Sequence, residues 1–393
     1  MSNRRTLQAQ AATIDAVLKR NRVPSHVGRS IATPRALRFE LMAEGTVSVQ
    51  SVQNLAGEFA AALGAPATQV RRSIDGVCIE VHQPAEPLRL LSLCDKLGPA
   101  PALTALLGVD ADGAPLLLRL PAAEVGNVLV AGMTGAGKTA LARTMLTSLA
   151  MYNRPAQVQL VLIDPKARGF APLQRMPHVL GELVSAQEDV RDCLHWLVGE
   201  MERRRAAQIA APALVVAIDE LADLIQTGGS RIEALIARLC AGGRDAGIHL
   251  IACAQKPTAE LIGSTAKAGF PVRLVGAVAS REEARYATGV NESGAESLEG
   301  KGDFVLLAGN QTVRFQAAWI GPRDLDHVKT LVKGESHPLR WSRPTLADAD
   351  ADQAQRMRAG VQPRPETADA AYTLHQKSRS TLWQNILARL GGF

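Results

Sequence analysis

Five short apolar runs mark the middle of the chain, at 127–131, 157–163, 213–218, 248–254 and 271–278, and longer amphipathic stretches separate them. Runs of this length, bounded by polar residues and glycines, predict strands buried on both faces, and the intervening stretches carry the 3.6-residue period of helices. The alternation predicts an α/β fold over 102–321, with a mainly parallel sheet covered by helices. At its end, GDFVLLAGNQTVRFQAAWIG places two apolar runs about a polar turn at Gly309–Thr312 and predicts a β-hairpin.

Ahead of this region the periods are mixed. QAQAATIDAVLK, at 8–19, suits a short helix, and alternating apolar positions in LRFELMAEGTVSVQSV suggest strands. NLAGEFAAALG then returns to helix and GVCIEVHQP to strand. We read a basic N-terminal helix or arm at 1–36, a small α+β domain at 37–84 and a linker at 85–101. Beyond the larger region, 322–393 reads as a flexible tail, because LADADADQAQRMRAGVQPRPETADA is poor in aromatics and rich in Ala, Asp and Pro. The closing STLWQNILARLGGF suits a short amphipathic helix.

Composition narrows the class without choosing a function. With 393 residues and 47% hydrophobic positions, the chain has material for two or three domains with at least one sizeable core. The net charge of +6 is matched by the surplus within residues 1–40, where Arg4, Arg5, Lys19, Arg20, Arg22, Arg29, Arg35 and Arg38 face only Asp15 and Glu40. A solvated helix explains that surplus, and so does a segment drawn to polyphosphate. The five cysteines have no C-x-x-C spacing and the eight histidines no ligand spacing, which argues for reduced, buried thiols and against a zinc or disulfide framework. No apolar run reaches membrane-helix length and MSNRRTLQAQ lacks a signal-peptide core, so the expectation is a cytoplasmic protein without a membrane span.

The chemistry starts at NVLVAGMTGAGKTALARTML. Gly132, Met133, Thr134, Gly135, Ala136, Gly137, Lys138 and Thr139 match G-x-x-x-x-G-K-[ST], after a predicted strand and before a predicted helix that continues with Ala140. Glycines at these positions let successive backbone N–H groups turn inward toward a polyphosphate at a helix N-terminus. Lys138 then reaches the β- and γ-phosphates of ATP, and the Thr139 hydroxyl takes a position on Mg2+. An accidental glycine-rich turn is the competing reading, and the flanking elements weigh against it.

LVVAIDELADL ends a buried strand with two carboxylates, Asp219 and Glu220. Such a pair caps a helix in many proteins; beside a phosphate loop, Asp219 would hold Mg2+ through water and Glu220 would orient and polarise the attacking water. IHLIACAQKP ends with Gln255, either a sensor of the γ-phosphate or a solvent-exposed strand terminus.

Taken together, NVLVAGMTGAGKT, LVLIDPKARGF, RMPHVLGELV, EMERRR, VVAIDELADLI, IARLCAGGRDAGIHLIACAQKP and GAESLEGKGDFVLL resemble the FtsK/SpoIIIE family of ring-forming DNA translocases, across about 103–321. The stretch LRFELMAEGTVSVQSVQNLAGEFAAALG resembles the small domain that precedes the motor there. The resemblance implies a RecA-like P-loop NTPase fold, a homo-oligomeric, hexameric ring around double-stranded DNA, and ATP hydrolysis at subunit interfaces. It implies a trans-acting arginine, for which Arg244 in GGRDAGIHL is the candidate, with Arg238 and Arg273 behind it. It also implies a supporting role at the nucleotide for Asp164 and Lys166 of IDPK. An ATPase energising protein secretion is the alternative within the same ATPase family. Three departures stand out: AAQIAA is short where the family carries a DNA-facing loop, the tail does not match an orienting winged helix, and no anchoring segment is seen. Lys256 and Lys267 remain as candidate DNA contacts.

Overall fold

The computed structural model describes residues 2–32, 36–43, 48–65, 68–73, 76–82, 87–255, 268–309 and 311–332. The N-terminal part begins with α1 (Ser2–Arg20), β1 (Ser25–Ala32) and β2 (Ala36–Ala43). It continues through α2 (Val49–Gln53), α3 (Ala56–Leu63), β3 (Thr68–Ser73) and β4 (Gly76–His82). Its sheet is antiparallel in the order β1-β2-β4-β3. Ile14, Val17 and Leu18 of α1 share a core with Phe39, Phe59 and Ile79.

Two expectations change here. The stretch 1–36 is not a separate arm, because α1 buries an apolar stripe on the sheet and β1 pairs with β2. Strand alternation does not continue through 49–53, which forms α2; the Ser48 side chain accepts the Ser51 amide at 3.0 Å and starts that turn.

The stretch 85–101, read as a linker, holds helix α4 (Leu90–Leu97). Leu90, Leu93 and Cys94 form a helical stripe buried in the main core, and the Leu90 amide donates to Trp319 O at 2.9 Å. Prolines and Gly98 bound this segment, and their loop signal masked the apolar stripe between them.

The larger part has β5 (Thr104–Asp110), β6 (Pro115–Arg119), β7 (Val128–Ala131), α5 (Lys138–Tyr152) and β8 (Val158–Ile163). Then follow α6 (Gln187–Ala207), β9 (Ala213–Ile218), α7 (Leu221–Gly242), β10 (Ile248–Ala254) and β11 (Val272–Val275). The chain continues through α8 (Arg281–Thr288), β12 (Asp303–Ala308), β13 (Gln311–Ala317) and α9 (Pro322–Leu331). These strands form one sheet in the order β6-β5-β13-β12-β11-β7-β10-β9-β8. All five apolar runs are strands, and β11, β7, β10, β9 and β8 are mutually parallel. β12 and β13 make the expected hairpin, and β5 and β6 extend the sheet antiparallel beyond it.

Alternate strand residues explain why the runs are continuously apolar. Val128, Leu160 and Val215 face a core shared with α4, α5 and α9, whereas Leu129, Val161 and Val216 face one shared with α6 and α7. The parallel strands end together at one edge of the sheet, where loops gather. Among the described residues no helix is long and apolar enough to cross a membrane.

The two parts meet at Arg38, whose guanidinium pairs with Glu80 at 2.9 Å and with Asp112, in the β5–β6 turn, at 3.0 Å. The predicted tail at 333–393 lies outside the described residues.

Candidate active site

Residues 132–137 connect β7 to α5 at the carboxyl edge of the sheet. Gly132, at φ 141°, and Gly137, at φ 104°, take backbone conformations that side chains rarely adopt. Close neighbours also exclude side chains: a Cβ on Gly132 would lie 3.2 Å from Ala277 O, and one on Gly137 3.3 Å from Gly302 N. The loop is braced by Met133 N donating to Ala277 O at 2.8 Å and Gly302 N donating to Ala136 O at 3.1 Å. The amides of Thr134, Gly135 and Gly137 have no hydrogen-bond partner among the described residues. Unpaired N–H groups beside a helix N-terminus form a cradle suited to phosphate oxygens.

Lys138 opens α5 and folds back, its Nζ donating to Met133 O at 3.1 Å. Burial pulls its ammonium below the ordinary lysine value, which leaves it short of an anionic partner. Ala140 lies in the first turn of the same helix.

Asp219 follows β9 and its amide donates to Ile163 O at 2.9 Å, so the neighbouring strand fixes its backbone. The Thr139 hydroxyl lies 3.2 and 3.3 Å from its two carboxylate oxygens. Burial raises the Asp219 pKa, and the nearby Asp164 and Glu220 carboxylates push the same way. One hydroxyl and one buried carboxylate are hard oxygen donors that fit Mg2+, which takes one or two protein oxygens plus substrate phosphates.

Glu220 has φ 55° and ψ 50°, a left-handed conformation that costs a non-glycine residue on the order of 1 kcal/mol. Its Oε1 receives Lys166 Nζ at 3.0 Å and Gln255 Nε2 at 2.6 Å. The Thr134 hydroxyl donates to Gln255 Oε1 at 3.2 Å, so Gln255 bridges the phosphate loop to Glu220 and is not a solvent-facing terminus.

Asp164 is fully buried and accepts the amides of Lys166 at 3.0 Å and Phe170 at 3.1 Å. It shapes the 164–170 turn, and Lys166 reaches Glu220 and Asp223 from it.

Three arginines lie apart from this cluster. Arg244 precedes β10, at the opposite end of that seven-residue strand from Gln255, hence roughly 20 Å away. Half-exposed, it donates to Ala123 O at 2.7 Å. Arg238 pairs with Glu202 between α7 and α6, on the surface. Arg273 is partly buried and donates to Thr288 O at 2.9 Å, at the end of α8. Lys256 and Lys267 lie outside the described residues.

Sequence reasoning missed Gly169. A Cβ there would lie 2.3 Å from Asp219 Oδ2 and 2.7 Å from Thr139 Cγ2, so the glycine makes room for the oxygen pair. Its position in IDPKARGF, five residues past Asp164, was the available signal. Arg204 was also missed. Wholly buried, it pairs with Glu200 at 2.7 Å and donates to Pro212 O at 2.7 Å and Ala246 O at 3.1 Å, tying α6 to the turn that carries Arg244.

Residues 99–211 and 205–259 match the FtsK/SpoIIIE family, and residues 1–84 match the FtsK alpha domain. The chain is 31% identical to DNA translocase SftA of Bacillus subtilis over 362 residues, 84% of this chain and 38% of SftA. It is 31% identical to DNA translocase FtsK of Lactiplantibacillus plantarum, covering 84% of this chain and 45% of that protein. The chain thus spans less than half the length of these relatives. Among solved structures, the pCW3 conjugation coupling protein TcpA, in its monomer form with ATPγS, superposes with a TM-score of 0.57 at 18% identity. That match covers 83% of this chain and all of the TcpA chain. The cytoplasmic domain of the Thermomonospora curvata type VII secretion ATPase EccC gives 0.58 at 23% identity, covering 66% of this chain and 36% of that one. At these identities the likeness establishes the P-loop ATPase fold.

Proposed function

Because the chain belongs to the FtsK/SpoIIIE family, we propose that it is an ATP-hydrolysing motor that moves double-stranded DNA, working as a hexameric ring in the cytoplasm. The observation that carries this reading is the meeting of the unpaired amides of Thr134, Gly135 and Gly137 with Asp219 and Glu220 at one edge of the sheet. A nucleotide-binding scaffold needs the first feature, whereas hydrolysis also needs the second.

In this reading Gly132–Ala140 binds the triphosphate of ATP through backbone N–H groups, and Lys138 exchanges Met133 O for phosphate oxygens. Thr139 and Asp219 would hold Mg2+, which when bound neutralises charge on the phosphates and orients them. Glu220 accepts a proton from the attacking water. Gln255 links phosphate-loop occupancy to the segment after β10, where Lys256 and Lys267 are proposed DNA contacts. Such contacts go to the DNA backbone, because a moving motor cannot depend on particular bases.

Arg244 is too far from its own phosphate loop to act there, and its exposed position suits a neighbouring subunit's nucleotide. An arginine so placed stabilises charge on the transferring phosphoryl group. Likeness to secretion ATPases extends to the fold alone and gives no support to a role in protein secretion.

Displacement of a third strand from linear duplex DNA tests the proposal. The full chain is expected to strip the third strand with ATP and not with a non-hydrolysable analogue, and Lys138→Ala is expected to do neither. ATP turnover with no displacement on any duplex would overturn it.

A further inference from the structure

Glu220 is held in an uneven way. Both contacts to its carboxylate, from Lys166 Nζ at 3.0 Å and Gln255 Nε2 at 2.6 Å, fall on Oε1. Oε2 has no hydrogen-bond partner among the described residues. The side chain is only 15% exposed, so the two contacts constrain a carboxylate with little room to turn. Each contact has its own support. Lys166 is placed by the turn that buried Asp164 closes, and its ammonium also meets Asp223 Oδ2 at 3.4 Å. Gln255 is tied through its Oε1 to the Thr134 hydroxyl. The backbone of Glu220 adds a left-handed conformation that directs the side chain away from the usual strand path.

Pinning one oxygen and leaving the other open suits a group that must take a proton along one direction. Lys166 reaches Glu220 from the turn after β8, on one side of β9, whereas Gln255 approaches from the end of β10, on the other. The two contacts thus hold Glu220 from strands on either side of its own. The lysine ammonium is already engaged by two carboxylates, Glu220 and Asp223.

We infer that Lys166 is a positioning residue for hydrolysis: its ammonium clamps Glu220 Oε1 against Gln255 and leaves Oε2 to receive the water's proton. The inference rests on the reading of Glu220 as the proton acceptor. It assigns Lys166 to the water side of the site, not to nucleotide binding.

The test measures kcat and KM for ATP on the full chain with duplex DNA, and separately the affinity for a non-hydrolysable ATP analogue. Variants are Lys166→Met, Lys166→Arg, Glu220→Gln and the Glu220→Gln/Lys166→Met pair. Lys166→Met is expected to lose kcat on the order of 10–100-fold, the scale of a misplaced reacting group. KM and analogue affinity should stay within about 2-fold, because no binding contact is removed. Lys166→Arg should restore most of kcat, and the double variant should be no slower than Glu220→Gln alone. Lys166→Gln substitutes for the Met variant if the latter fails to fold.

Unchanged kcat in Lys166→Met would overturn the inference, as would a raised kcat, which would make the contact a restraint. Lost analogue affinity with kcat retained would make Lys166 a phosphate ligand and also overturn it. Losses that add in the double variant would mark a structural role unrelated to Glu220. Retained turnover in Glu220→Gln would instead bring down the underlying reading of the site, and this inference with it.

Discussion

Thr139 and Asp219 are 80 positions apart, and the threonine hydroxyl lies 3.2 and 3.3 Å from the two carboxylate oxygens of the aspartate. The ends of β7 and β9, with β10 between them, bring this pair together beneath the phosphate loop. The contact is built from oxygen donors at the position where a hard cation would join the phosphates.

The buried Asp219 carboxylate destabilises the fold that carries it. Burial, Asp164 and Glu220 all raise its pKa, so the folded chain holds that proton more tightly than the unfolded chain does. Stability contributed by this group is therefore intact below the ordinary aspartate value and falls as pH rises from there through the raised folded value. Asp219→Asn should raise the melting midpoint of the nucleotide-free protein at neutral pH, with the gain shrinking as pH falls toward the ordinary aspartate value and absent below about pH 4. The same variant should lose Mg2+-dependent turnover by about 100-fold or more. Thermal melts across pH, alongside turnover, check both halves.

Gly169→Ala should damage activity while leaving the fold intact. Its Cβ would press on Asp219 Oδ2 and Thr139 Cγ2, at 2.3 and 2.7 Å, and displacements of about 1 Å near reacting groups cost on the order of 100-fold. Gly57→Ala, on the exposed face of α3 with nothing within 4 Å, is the neutral control. Steady-state turnover and far-UV circular dichroism of the two variants decide the point.

Arg244→Ala should keep nucleotide affinity near that of the unaltered chain and lose turnover by about 1000-fold or more, the scale of an arginine acting in trans. Mixing it with Glu220→Gln should restore some turnover, because an interface can then combine an intact Glu220 with an intact Arg244. Mixing experiments over a range of ratios measure this. Absence of any recovery would move the role to Arg238 or Arg273.

Arg204 is expected to matter for stability. Its side chain is 1% exposed and the partner Glu200 8%, so truncation leaves a buried carboxylate with only Arg203 opposite it. Arg204→Ala should cost about 3–5 kcal/mol, read from urea unfolding. Because Arg204 also holds Ala246 O, turnover should fall further than the folded fraction does.

Local order was legible in the sequence where burial is uniform. The five apolar runs became the parallel strands because both faces of each strand are covered, which leaves no polar position to blur the signal. The phosphate loop and the Asp219–Glu220 pair were legible because their residue types and flanking elements are constrained together. Partnerships were not. Lys166 and Glu220 are 54 positions apart, and Thr134 and Gln255 121 apart, so neither contact leaves a local pattern. Helix α4 was hidden by the prolines and glycine around it, and β1 by its polar composition at an exposed sheet edge. Gly169 escaped because a glycine that makes room for another side chain looks like any loop glycine.

The most direct measurement is ATP turnover by the purified full chain at low salt, with and without linear duplex DNA. A severalfold rise on adding DNA is expected, lost in Lys138→Ala and suppressed as salt screens phosphate contacts. Turnover that is the same with and without DNA would contradict it.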